Sequence, residues 1–60
     1  MRVGDLVRIP IYHTLGTVVG FADEVWNEVD VGDERMCYVK VMLEVGRFYY
    51  VPPKSLEEVG

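Results

Sequence analysis

The sequence predicts an all-β fold of five short antiparallel strands with one short 3-10 turn before the last strand. Three observations point there. Twelve valines, two isoleucines and two threonines run from Val3 to Val59, and branched side chains pack well on a pleated surface. The segment 36–43, Met-Cys-Tyr-Val-Lys-Val-Met-Leu, alternates strictly, with Cys37, Val39, Val41 and Leu43 forming a wholly apolar face. Pro10 follows the run 5–9 and Pro52-Pro53 the run 47–51, and each of these runs has the length of a strand.

Asp5-Leu6-Val7-Arg8-Ile9 is the first strand, with Val7 and Ile9 on one face and Leu6 and Arg8 on the other. Gly4-Asp5 turns into it, and Pro10, which lacks an N–H, ends it. Residues 11–15 read as a loop carrying Tyr12 and His13. Gly16 opens a second strand, 17–21, in which Gly20 marks a bulge or sharp bend. Residues 23–34 fit two patterns. Val25, Trp26 and Val29 have helical spacing, with Asp23 as a cap and Gly32 as a stop. Val25, Val29 and Val31 also alternate, and the preferred reading is a hairpin-like excursion turning near Val31-Gly32-Asp33. Residues 36–43 form the clearest strand. Glu44-Val45-Gly46-Arg47 is a hairpin connection, and 47–51 is the returning strand. Pro52-Pro53 stops it, and Pro53-Lys54-Ser55-Leu56 suits one helical turn. Glu57-Glu58-Val59 closes the sheet. The expected core is Val7, Ile9, Val18, Val39, Val41 and Leu56.

Sixty residues make one small domain, 1–60, with the excursion at about 23–34 as its only departure. So short a chain has little room for a deep catalytic cavity. A single cysteine excludes an internal disulfide. No run is long and apolar enough for a membrane helix, and the start of the chain has no apolar leader. The expectation is a small, soluble, cytoplasmic domain.

The net charge of −4 is unevenly spread. Asp23, Glu24, Glu28, Asp30, Asp33 and Glu34 lie together with no Lys or Arg among them, and the remainder of the chain is slightly basic. An acidic chain disfavours nucleic acid, which demands a basic footprint.

The order of elements resembles the SH3-like small β-barrel. Gly4-Asp5-Leu6-Val7-Arg8-Ile9 followed by Leu15-Gly16-Thr17-Val18 looks like the opening of KOW- and Tudor-type barrels. Val51-Pro52-Pro53-Lys54-Ser55-Leu56-Glu57 looks like their closing turn and strand. The chain is also similar to small stand-alone accessory subunits of photosynthetic complexes and redox enzymes, and to short SH3-like proteins of bacteriophages. The resemblance implies a closed five-stranded barrel. Its KOW and Tudor branches imply RNA or modified-peptide binding.

Chemistry-bearing residues are sparse. His13 stands alone, whereas a catalytic or metal site requires a cluster. Cys37 falls on the apolar face and reads as core. The acidic run lacks calcium-loop spacing. No phosphate loop or nucleophile motif occurs. No enzyme activity, metal or cofactor is expected. Seven aromatics in sixty residues exceed what so small a core absorbs. The expected function is a non-catalytic protein-interaction module or accessory subunit. Its protein-binding residues would be Tyr12, Trp26, Tyr38 and Tyr50, with Asp30, Asp33 and Glu34 steering a basic protein partner. A homo-oligomer fits the same surface. The alternative is a nucleic-acid barrel using Arg8, Lys40, Arg47 and Lys54, with Tyr38 or Tyr50 stacking on bases.

Overall fold

The computed structural model describes residues 1–44 and 46–59. Val45, in the middle of the expected 44–47 connection, and Gly60 lie outside the described residues. Among the described residues there are six strands: β1 (Leu6–Ile9), β2 (Thr14–Ala22), β3 (Glu28–Val29), β4 (Tyr38–Leu43), β5 (Phe48–Val51) and β6 (Glu57–Glu58). All pairings are antiparallel, in the order β5-β4-β2-β1-β6, with β3 also on β2. The expected count of five strands is therefore corrected to six, and the expected closed barrel to an open sheet. β3 and β6 are two residues each. A two-residue strand offers too few ladder bonds to seal a barrel.

β2 is the organiser. At nine residues it is the longest strand. One edge pairs with β4, and the other is shared between β1 at the N-terminal half and β3 at Phe21 and Ala22. The register slips at Val19: Val18 opposes Val41 and Gly20 opposes Lys40. The extra residue at this bulge inverts the alternation behind it. Phe21 thereby enters the core opposite Val39, and Gly20 moves to the outer face beside Lys40.

Val7, Ile9, Val18, Val39 and Val41 have no solvent exposure, and Phe21, Ala22 and Val51 are nearly as buried. All eight belong to one sheet, and among the described residues no second layer covers it, so the sheet must curl over its own apolar face. Leu56, expected in the core, is only partly buried and packs against the cluster with Met36, Val29, Leu43 and Tyr49.

Several local expectations are corrected. The expected loop at 11–15 is a 3-10 turn, Pro10–Tyr12, running directly into β2. Proline presets the turn's φ, His13 N–H donates to Pro10 O at 3.1 Å, and His13 swings the chain out at φ 51°. The second such turn, Pro53–Ser55, lies where expected. Cys37 is exposed and outside β4. Its parity is right for the core, but the apolar cluster ends at Val39, and its thiol donates to Arg35 O at 3.4 Å. The excursion is not helical. Its hairpin turn comes at Asp23–Asn27, earlier than the expected turn near Val31, and Val31-Gly32 and Glu34-Arg35 form further turns.

Candidate functional site

The site begins with one carboxylate. Asp23 Oδ1 accepts the backbone N–H groups of Val25 and Asn27, both at 3.0 Å. Asp23 N–H donates to Asn27 O at 2.9 Å, and Trp26 N–H to Asp23 O at 3.1 Å. This aspartate-centred turn joins β2 to β3. It holds Trp26 in the left-handed region, φ 70°, a conformation that costs a bulky residue free energy. The compensation lies across the sheet. The Trp26 ring stacks on Tyr38 with centroids 4.6 Å apart and meets Tyr50 at 4.8 Å.

Tyr38 and Tyr50 arrive from β4 and β5 by simple alternation. Tyr38, Lys40 and Met42 point away from the core, as do Phe48 and Tyr50 on the neighbouring strand. The Lys40 ammonium lies 4.6 Å from the Phe48 ring centroid and 5.9 Å from that of Tyr50, within cation–π range. Trp26 remains 53% exposed, Phe48 50% and Tyr50 37%. The rings thus form a continuous aromatic surface rather than a lid over the core. A groove of about 200 Å³ runs beside them, bordered by Trp26, Tyr50, Lys40 and Glu28, with Gly20 in its wall. A Cβ at Gly20 would meet no atom within 4 Å, so the glycine keeps the groove open.

Three of the four expected aromatics therefore come together. Tyr12 does not join them; its ring packs on Tyr49 at 5.4 Å, and Tyr49 is half-buried. The expected acidic set divides as well. Asp33 forms a two-point pair with Arg35, Oδ2 to Nη2 at 2.9 Å and Oδ1 to Nε at 3.1 Å, and Oδ1 also accepts Arg35 N–H at 2.8 Å. Asp33 is thus occupied in turn formation. Asp30 and Glu34 are exposed and make no ion pair among the described residues. The carboxylate bordering the groove is Glu28. Glu28, Gly20 and Phe48 were not anticipated in the site. Glycine inside a strand was the available signal for Gly20, and the Val19 bulge is what turns it outward.

The Arg35 side chain and backbone N–H lower the Asp33 pKa to about 2 from an ordinary 3.8. The folded-state pKa is depressed, so this contact is intact above the ordinary carboxylate range and is lost as pH falls through about 2. An NMR pH titration should place the midpoint of the Asp33 carboxyl carbon well below the ordinary carboxylate value of 3.8. Arg35→Gln should return it toward 3.8; an unmoved midpoint would show that the pair does not form in solution.

Among the described residues no group of three His, Cys, Asp or Glu is placed to hold a metal ion, and no helix is long and apolar enough to cross a membrane. No family model, curated protein or solved structure matches the chain.

Proposed function

We propose that this chain is a non-catalytic binding module that takes a basic protein segment on the Trp26–Tyr38–Tyr50 surface. The observation that carries this reading is the strained placement of Trp26: an acidic hairpin holds a half-exposed indole against two tyrosines of the sheet. Trp and Tyr give large, rigid contact area with a polar rim and dominate protein interfaces. Asp23, Glu24 and Glu28 surround the indole in sequence. They favour a cationic segment and set its approach more than its final affinity. The Gly20 groove would receive one of its side chains.

The SH3-like resemblance belongs to the same reading. The element order of β1, β2, the β4–β5 hairpin, a 3-10 turn and a short last strand β6 supports it, since it follows the order expected of SH3-like adaptor modules although the sheet here is open. The nucleic-acid alternative has less support. One face of Tyr38 is covered by Trp26, Lys40 is engaged by Phe48 and Tyr50, and Arg8 sits 3.8 Å from Glu57.

Trp26 is the only tryptophan, so its fluorescence reports on the site directly. A short Lys/Arg-rich peptide should shift its emission saturably, with affinity falling as salt rises. Tyr38→Ala should weaken that binding about tenfold, as loss of an interface anchor does. A single-stranded oligonucleotide that binds more tightly than the peptide would replace this reading with the nucleic-acid one.

A further inference from the structure

The sheet's exposed edges differ in character. β6 is Glu57-Glu58, two carboxylates that repel an incoming strand of the same kind. β3 is two residues long and begins at Glu28 inside the acidic run. β5 is Phe-Tyr-Tyr-Val, four residues without a charge. Short length and charge are the usual protections of a sheet edge, and β5 has neither.

Its backbone groups can be assigned. Leu43 N–H donates to Arg47 O at 2.9 Å, which sets the phase of the β4–β5 ladder. Antiparallel bonding alternates, so Tyr49 and Val51 exchange bonds with Val41 and Val39, their partners in the register. The N–H and C=O groups of Phe48 and Tyr50 then point away from β4. Among the described residues no loop backbone or side chain bonds to them.

We propose that β5 pairs antiparallel with β5 of a second copy of this chain, about a twofold axis through Tyr49. This inference goes beyond the peptide-binding reading and does not rest on it. In this register Phe48 opposes Tyr50 of the second copy, and each of the two donates one hydrogen bond and accepts one. A second copy is the occupant because the edge is complementary to itself. Its sequence is nearly symmetric about Tyr49, aromatic meets aromatic on the outer face, and the one charged residue the register brings in, Arg47, opposes the apolar Val51 of the second copy and meets no like charge across the ladder.

The register also limits itself. Pro52 would oppose Gly46. Pro52 has no N–H to extend the ladder, and Gly46 turns the chain away at φ 81°. A twofold contact of this kind closes on itself and does not grow into a fibre. It also places the second copy's Phe48 against Tyr50, so each aromatic surface is completed by the other chain. The pairing is much smaller than the roughly 1,200 Å² of a stable interface, so the dimer is weak and forms as concentration rises.

Sedimentation from micromolar to millimolar protein, with amide exchange on the same samples, tests this. The mass should rise from 6.9 kDa toward twice that value. The Phe48 and Tyr50 amides should exchange freely in dilute protein and about tenfold more slowly or better in the dimer, while Tyr49 and Val51 stay protected throughout. Phe48→Pro removes a donor that points off the sheet, so it should leave the fold and abolish the dimer. Exchange on the unaltered chain decides between pairing and no pairing even if that variant does not fold. A constant 6.9 kDa mass at millimolar concentration overturns the proposal. So does a dimer whose Phe48 and Tyr50 amides remain unprotected, or a folded Phe48→Pro variant that still dimerises.

Discussion

Val41→Asp should remove most or all of the chain's stability at room temperature. Val41 has no solvent exposure, faces Val18 across β2 and Tyr49 across β5, and has no polar partner within the core. An unpaired carboxyl group there costs about 4 kcal/mol or more. A chain of this length has a total stability of about 3–9 kcal/mol. Met42→Asp, one residue further along the same strand, falls on the outer face and should shift stability by less than about 1 kcal/mol. Thermal melts followed by far-UV circular dichroism separate the two. If Met42→Asp is the variant that loses its transition and Val41→Asp melts normally, the β4 register is displaced by one residue.

Gly16→Ala is the second large effect, and the smaller change of side chain makes it the more exacting one. Gly16 lies between β1 and β4, opposite Val7 and Leu43. A Cβ built there collides with Val41 Cγ1 and comes within 3.0 Å of Met42 O and 3.1 Å of Leu43 Cδ2. The carbonyl belongs to the ladder and cannot move aside cheaply. Overpacking of this kind costs about 2–3 kcal/mol, which lowers the melting temperature of so small a domain by about 10 °C or more. The cost should fall when Val41 is already shortened. In a Val41→Ala background, where the colliding methyl is gone, adding Gly16→Ala should cost at least about 1 kcal/mol less than it does alone. Strictly additive losses would place Gly16 and Val41 out of contact.

These two positions also show how far sequence reading reaches. Val41 was legible because alternation over 36–43 is a local property, and a two-residue period has one reading when one face is wholly apolar. The same pattern misplaced Cys37, because a period carries no information about where the core stops. Gly16 carried no readable warning. Its hydrogen matters only because Val41 lies above it, and that neighbour is set by pairing between distant segments. Gly20 announced the β2 irregularity, yet only the pairing with β4 shows that the slip at Val19 sends Phe21 inward. The aromatic surface was partly legible for the same reason. Tyr38 and Tyr50 follow from strand parity. Trp26 reaches them through a turn whose left-handed residue no local pattern marks, while Tyr12 was drawn to Tyr49 by the unexpected Pro10–Tyr12 turn.

The φ of 70° at Trp26 has a consequence for how this chain can change. Left-handed turn positions suit glycine and asparagine, which adopt them at little cost. A chain drifting only toward greater stability of the turn would exchange the indole for one of these. It would relieve the backbone and at the same time erase the surface formed with Tyr38 and Tyr50. Stability of the hairpin and possession of the aromatic surface are therefore opposed at a single codon. Tryptophan there is a standing concession by the fold, of the kind proteins make where a side chain must be presented outward.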